Sequence, residues 1–264
     1  MTELMTPKID LVFKKLFGVE ENKDLLISLI NSIVSEEDQV ADVEILNPYN
    51  AQNFRTDKLS ILDVKARSNT GKLYNIEIQI SDEADYDKRA LYYWGKLYTQ
   101  QLKKSDDYSK LNKAIGIHIL NFTSIPDIDK YHNVFHLLEK DSKIHFFTDI
   151  ELHTIELKKC ENNKTEQKLS EDEEVNLFLG KIKTSLDRWA TFLSRCDLLK
   201  NKNFPDNLKD AQIKKAMDAL DEMHLSDEER EAYEDRLKWL RMEVNTIQKA
   251  TRAAEEKGIE KGIE

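Results

Sequence analysis

The chain has 264 residues, of which 34% are charged, a mean hydropathy of −0.62 and a formal net charge of −10. No run of about 18 apolar residues exists, which excludes a transmembrane helix, and residues 1–10 lack the basic and apolar regions of a secretory signal, so we expect a cytoplasmic protein without membrane contact. The acidic excess is five charges in residues 1–160 and five in 161–264, which excludes a protein that coats nucleic acid by bulk electrostatic attraction.

Two amphipathic helices and a strand are predicted at the start of the chain. Apolar residues recur at helical spacing over residues 11–17 and 23–33, and Asp10 is the expected N-cap of the first helix. A strand is predicted over residues 40–46, followed by an irregular stretch that contains Pro48.

The segment 61–80, ILDVKARSNTGKLYNIEIQI, predicts an amphipathic β-hairpin. Its residues alternate between two faces on both sides of a turn signal. The apolar face carries Leu62, Val64, Ala66, Ile76, Ile78 and Ile80, and the polar face carries Asp63, Lys65, Asn75, Glu77 and Gln79.

The turn predicts which residues face each other across the hairpin. A three-residue loop Asn69-Thr70-Gly71, with Gly71 in the left-handed conformation, makes the numbers of paired residues sum to 140. Asp63 then lies opposite Glu77, with Cβ atoms roughly 5 Å apart. Two carboxylates this close repel unless a proton or a cation lies between them, and a divalent metal bound by oxygen ligands is one solution. An ordinary solvated face, with Lys65 paired to a carboxylate, is the alternative.

The elements after the hairpin predict an α/β fold. A helix is expected over residues 85–101, with a buried stripe of Leu91, Trp94, Leu97 and Tyr98, and strands over residues 113–120, 133–139 and 150–157. The continuous apolar run KAIGIHIL indicates a strand buried on both faces. This order of helices and strands predicts a mixed central sheet flanked by helices.

Beyond residue 160 the chain is predicted to be helical, which divides it into a core of residues 1–160 and a helical region of residues 161–264. Helices are expected over residues 175–199 and 208–223, and a third begins with a capping box of Ser226 and Glu229. Its apolar residues form a short heptad seam that favours a homodimer or packing on the preceding helices. The seam consists of Tyr233, Leu237, Leu240, Val244 and Ile247. The closing repeat KGIEKGIE predicts a charged, partly frayed tail, because glycine weakens a helix.

The order of several motifs resembles the PD-(D/E)XK nuclease superfamily, and within it the Rpn-type recombination-promoting nucleases, or PD-(D/E)XK family transposases. The segments that resemble this family are IDLVFKKLFG (9–18), LLISLINSI (25–33), LDVKA (62–66) with Gly71, NIEIQ (75–79) and RALYYWGKLYTQQL (89–102). The resemblance covers about residues 7–120, and it implies a restriction-endonuclease-like core.

The resemblance also implies metal-dependent DNA cleavage linked to recombination or mobile elements. Asp63, Glu77 and the carbonyl of Ile78 would bind Mg²⁺ or Mn²⁺. The commonest superfamily motif has lysine where this chain has Gln79, which can hydrogen-bond a water but adds no charge. Lys65 lies on the same face as Asp63, and we expect it to supply the missing charge.

DNA contacts are expected on the helix after the hairpin, where Arg89, Tyr93 and Lys96 share a face and suit a phosphate backbone. On the first helices, Glu21 or Asp24 is a candidate to approach the metal, as acids do in some superfamily members. Two other functions remain open. One is a catalytically weak or inactive module that binds DNA and oligomerises, and the other is a defence or toxin nuclease.

Overall fold

The computed structural model describes residues 5–50, 63–82, 85–161, 171–199 and 206–262. Within these residues six strands form one sheet in the order β1-β2-β3-β4-β6-β5. Helices cover it, which confirms the predicted mixed sheet flanked by helices. Leu62, predicted on the apolar face of the hairpin, lies outside the described residues.

The first elements are α1 (Asp10–Phe17), α2 (Lys23–Ile33) and β1 (Val43–Ile45). The prediction that Asp10 caps α1 is wrong. Ile9 has the extended backbone of an N-cap, and Asp10 is already the first helical residue. The Asp10 carboxylate instead accepts a hydrogen bond of 2.8 Å from the adjacent Leu11 N–H.

The hairpin consists of β2 (Val64–Ser68) and β3 (Leu73–Gln79), and its predicted register is confirmed. Val64 pairs with Ile76, and Ser68 N–H donates to the Lys72 carbonyl at 2.9 Å across the three-residue loop. Gly71 has a φ of +89°, as the predicted loop requires. A Cβ at this position would also lie 2.9 Å from Oδ1 of Asn112.

The remaining elements of the sheet are α3 (Tyr86–Thr99), β4 (Ala114–Leu120), β5 (His132–Leu138) and β6 (His145–Glu156). β4 pairs in parallel with both β3 and β6, while the β2–β3 and β5–β6 pairs are antiparallel. All seven residues of β4 are buried, which confirms the prediction that both of its faces are covered.

One face of the sheet is covered by α3. Trp94 and Leu97 pack on Leu73 of β3 and Ala114 of β4, and the Trp94 indole donates to the Ala114 carbonyl at 2.7 Å. The predicted stripe is wrong at Leu91, which is 54% exposed. The buried arc of α3 instead begins with Tyr86 and Ala90, which pack on the end of β4 and Phe122.

A buried network of charges lies on the other face, which carries Tyr74 of β3. Its centre is Lys113, whose Nζ lies 2.6 Å from Oδ2 of Asp38 and 2.8 Å from Oε2 of Glu151. Lys72 also pairs with Asp38, at 2.8 Å, and His153 lies 2.7 Å from Glu151. Burial acts to raise the pKa of both carboxyls, but their partners outweigh it and hold each pKa below its ordinary value.

The helices after the sheet are α4 (Leu157–Glu161), α5 (Glu171–Gly180), α6 (Ser185–Arg195) and α7 (Ala211–Glu222). The prediction of a single helix over residues 175–199 is wrong, because a break separates α5 from α6. Thr184 and Asp187 form a capping box that starts a new helix after this break.

The compact unit that contains the sheet is Met1–Met223 and so extends past residue 160, where the composition changes. Trp189 of α6 shows this packing directly. Its ring centroid lies 5.5 Å from that of Phe17, and its indole donates to Ser28 Oγ at 3.1 Å. Helices on both sides of residue 160 therefore share one core.

The second compact unit, His224–Glu264, contains the long helix α8 (Asp227–Gly262). Its predicted capping box is confirmed: Ser226 N–H donates to Glu229 Oε2 at 2.8 Å, and Glu229 N–H donates to Ser226 Oγ at 3.3 Å. The helix continues through the predicted frayed tail to Gly262. The described seam residues Tyr233, Leu237 and Leu240 are half-buried, and the homodimer through this seam stays a prediction. Among the described residues, no helix is both long and apolar enough to span a membrane.

Candidate active site

Asp63 and Glu77 both lie at the open end of the hairpin. Continuing the β2–β3 register by one pair beyond Val64 and Ile76 places Asp63 opposite Glu77. Glu77 lies on the α3 side of the sheet, because it is four residues after Leu73 on the same strand. Both side chains are largely enclosed, with 14% of Asp63 and 16% of Glu77 exposed. The open end of the hairpin therefore carries two largely enclosed carboxylates, with Glu77 on the α3 side of the sheet.

Lys65 contacts the first of these carboxylates. Its Nζ lies 3.2 Å from Asp63 Oδ2, and its side chain is one-third exposed. Lys65 pairs across the hairpin with Asn75, so its position beside Asp63 agrees with the sequence prediction. An ammonium group is thus available at the edge of the carboxylate pair.

Glu77 is held by polar neighbours from two strands. Asn75 Nδ2 donates to Glu77 Oε1 at 3.3 Å. His118 pairs with Glu77 in the β3–β4 register, and its Nδ1 lies 3.6 Å from Glu77 Oε2. That separation is longer than a hydrogen bond. Burial acts to raise the pKa of Glu77, but His118, Asn75 and the charge of Arg89 outweigh it and hold the pKa below its ordinary value.

Several buried polar atoms around Glu77 have no hydrogen-bond partner among the described residues. They are Asn75 Oδ1, the Tyr86 hydroxyl and both ring nitrogens of His118. His118 is only 1% exposed and meets the Tyr86 ring edge-on, with centroids 5.8 Å apart. Buried polar groups without partners are rare in proteins, which makes the surroundings of Glu77 a candidate place for a bound polar group.

Sequence reasoning missed a buried lysine and an asparagine that fix the start of β2. Lys14 of α1 is fully buried, and its Nζ donates to the main-chain carbonyls of Asn47 and Asp63. The Asn47 side chain donates to the Asp63 carbonyl at 3.1 Å and accepts from Lys65 N–H at 2.7 Å. Burial lowers the pKa of Lys14 to about 8, with Asp63 opposing this shift and Lys65 adding to it.

Sequence reasoning also missed His118, and both Lys14 and His118 could have been found as polar residues in apolar patterns. Lys14 lies three residues after Leu11 and three before Phe17, so helical spacing places it on the apolar face of α1. His118 interrupts the otherwise apolar run of β4. A polar side chain that the pattern places inside the protein needs a partner there.

The predicted DNA contacts lie on the flank of α3 nearer β2 and β3. On the opposite flank Tyr98 meets Phe147 of β6 edge-on, with centroids 6.0 Å apart. Arg89 is half-buried near Glu77, and its guanidinium lies 5.9 Å from the Tyr86 ring centroid. Tyr93 and Lys96 follow it on the same flank and are exposed.

The other predicted site residues lie in two places. Gln79 Nε2 donates to the Ser81 carbonyl at 3.2 Å. The Gln79 carbonyl accepts from Asn121 N–H on the β4 side, so the carbonyl of Ile78, one residue earlier, points toward the β2 side.

Asp24, a candidate to approach the metal, instead pairs with Lys215 of α7, which also donates to the Glu21 carbonyl. The Asp24 carboxylate and the Glu21 main chain therefore belong to the contact of this region with α7.

The donor atoms at this site fit a hard divalent cation. Within the described residues, no three His, Cys, Asp or Glu side chains converge in a group that could hold a metal. A metal here would depend on the carboxylates of Asp63 and Glu77, the main-chain carbonyl of Ile78 and water. These are oxygen ligands, which Mg²⁺ and Mn²⁺ prefer.

A scan against protein families matches residues 7–250 to the PD-(D/E)XK nuclease family transposases. Comparisons with curated proteins and with solved structures gave no match. The family match covers nearly the whole chain, including the hairpin with its two carboxylates, the helix α3 and most of the C-terminal helices. The chain belongs to the PD-(D/E)XK nuclease family transposases, a family of nucleases linked to mobile elements.

Proposed function

We propose that this protein is a DNA endonuclease that hydrolyses phosphodiester bonds with Mg²⁺ or Mn²⁺ at Asp63 and Glu77. The observation that supports the proposal is the hairpin register, in which Val64 pairs with Ile76; continued by one residue pair, this register would set Asp63 opposite Glu77. Holding both carboxylates together costs electrostatic repulsion, and a bound cation removes it. The proposed biological setting is recombination or mobile-element activity, as the family implies.

In this proposal Asp63, Glu77 and the Ile78 carbonyl bind the metal. The ion would activate the attacking water and offset negative charge at the phosphorus. His118 and Asn75 hold Glu77 in its ionised form, since both act to lower its pKa. Lys14 and Asn47 fix the main chain of Asp63 and so orient its carboxylate.

In the commonest superfamily motif one lysine positions the water and supplies positive charge. In this chain we assign these two roles to Gln79 and Lys65. Gln79 lies two residues after Glu77, on the same face of β3, and positions a water by hydrogen bonding. Lys65 supplies positive charge to the phosphate, since its ammonium group is already beside Asp63. Arg89, Tyr93 and Lys96 contact the DNA from the flank of α3.

The test is nicking and linearisation of a supercoiled plasmid with Mg²⁺ or Mn²⁺. We expect Asp63→Asn and Glu77→Gln to lower the cleavage rate by about 100-fold or more, as for other groups that stabilise a transition state electrostatically. Glu44→Gln is the matched control, because Glu44 is an exposed carboxylate on the neighbouring strand β1 whose ion pair with Arg67 is 3.5 Å long.

The outcomes separate the alternatives. Cleavage that requires the metal and both carboxylates, and is kept by Glu44→Gln, supports the nuclease site. Equal cleavage by all variants would point to a contaminating nuclease and refute the role of this site. Absence of cleavage by a folded parent protein with either metal would instead favour an inactive module that binds DNA.

A further inference from the structure

The helix α3 exposes two adjacent aromatic rings. Tyr92 is 65% exposed and Tyr93 is 39% exposed. Their ring centroids lie 5.6 Å apart, with the planes at 65° to each other. The sheet-facing side of the same helix is filled by Trp94 and Leu97, so these two tyrosines are not needed for the core.

Positive charge accompanies the two rings. Residues 85–104 carry five lysines and arginines and only two aspartates, in a chain whose net charge is −10. Lys96 follows Tyr92 by four residues, and Arg89 precedes Tyr93 by four, so each ring has a cation one helical turn away. We call Arg89, Tyr92, Tyr93 and Lys96 the α3 strip.

One end of the strip lies near Glu77. Arg89 is close enough to Glu77 for its charge to act on that carboxylate. The opposite flank of α3 carries Tyr98, which meets Phe147 of β6 edge-on. A nucleic acid strand lying along the α3 strip would therefore lead from exposed aromatic rings to Asp63 and Glu77.

We propose that the α3 strip binds an unpaired DNA strand, with bases stacked on Tyr92 and Tyr93 and phosphates next to Arg89 and Lys96. Aromatic rings between cations are the usual platform for single strands, because every unpaired base has a free π face. In a duplex those faces are covered by neighbouring base pairs, and a protein reaches only groove edges and phosphates. The basic strip is also narrow and the protein is acidic overall, so few phosphates of a duplex would meet positive charge.

The consequence for the substrate rests on the proposed nuclease function. If Asp63 and Glu77 cut DNA, the preferred substrate has an unpaired segment beside the cut, as in a flap, a gap or a melted end. The binding surface itself does not depend on cleavage, so the two ideas can fail separately.

The test measures binding of a fluorescein-labelled 20-nucleotide single strand and of the matching blunt duplex by fluorescence anisotropy, in EDTA at low salt. We expect the single strand to bind more tightly. Stacking is worth about 1–3 kcal/mol per base, so Tyr92→Ala should weaken single-strand binding by about 5- to 150-fold, while Tyr92→Phe should keep most of it. Tyr108→Ala is the matched control, since Tyr108 is 82% exposed and lies outside α3.

Binding and cleavage are then compared on the same proteins. Equal affinity of the parent for the duplex and the single strand, or an unchanged single-strand affinity in Tyr92→Ala, would overturn the stacking surface even if the plasmid is cut. Loss of single-strand affinity in Tyr92→Ala but not in Tyr108→Ala supports the surface. This conclusion does not depend on cleavage. If neither metal supports cleavage, only the nuclease proposal is refuted.

Discussion

Replacing Lys113 with methionine tests the buried charge network on the face of the sheet away from the proposed active site. The substitution keeps a long side chain but leaves Asp38 and Glu151, which are 3% and 4% exposed, without their shared cation. Removing one partner of a buried ion pair typically costs 3–5 kcal/mol. Asp38 keeps Lys72 and Glu151 keeps His153, so we expect a loss at the lower end, about 3 kcal/mol.

The assay is urea unfolding at pH 7 of the parent and Lys113→Met. Lys110→Met is the matched control, because Lys110 forms an exposed pair with Asp106 at 2.6 Å. Exposed pairs contribute about 0–1 kcal/mol, so this variant should unfold close to the parent.

The pH dependence of the loss has a definite sign. Asp38 and Glu151 have pKa values below their ordinary values of 3.8 and 4.5 in the folded protein. Their pairing therefore stabilises the fold above those ordinary values, and this contribution disappears as the pH falls through the lower folded-state values. The difference between parent and Lys113→Met should shrink over the same range.

A loss below about 1 kcal/mol at pH 7, or a difference that grows as the pH falls, would refute this reasoning. Either result would mean that water or a rearranged Lys72 replaces the missing ammonium. The buried ion pairs would then contribute little to folding, as some buried pairs do once their desolvation is counted.

Two further predictions concern the hairpin. Lys65→Ala should lower metal-dependent plasmid cleavage by about 10-fold or more, since it removes the charge proposed to offset the phosphate. Lys65→Arg should keep part of the cleavage rate. If Lys65→Ala cleaves as fast as the parent, this lysine only pairs with Asp63. Gly71→Ala should destabilise the protein by about 1–2 kcal/mol, because an L residue is strained at a φ of +89° and its Cβ would meet Asn112. Gly95→Ala, in α3 with open space around the added Cβ, should instead stabilise it by up to about 1 kcal/mol, and the same sign for both variants in urea unfolding would contradict this account.

The hairpin could be predicted from the sequence because its determinants are local. Strand alternation fixes which side chains share a face, and the short loop ending at Gly71 fixes the pairing. These two rules gave the pairing of Val64 with Ile76, which the structure confirms. The proposed metal ligands Asp63 and Glu77 follow from that same register.

Other local signals were overridden or read wrongly. The apolar spacing of residues 175–199 continued across a point where Thr184 and Asp187 cap a new helix. Leu91 fitted a helical stripe, but α3 buries the arc that begins at Tyr86 and Ala90. The first error came from a local signal that was overlooked, the capping box, whereas in the second the packing partner selected one of several compatible patterns.

The sequence by itself determined the α/β class and the hairpin, on which the proposed pair of Asp63 and Glu77 depends, because backbone geometry relates neighbouring residues in a fixed way. Only the tertiary structure decided what surrounds that pair. The parallel pairing of β3 with β4 puts His118 beside Glu77, and the docking of α1 puts Lys14 on the carbonyl of Asp63. These contacts join segments that are distant along the chain, and no periodicity specifies which buried polar group meets which partner.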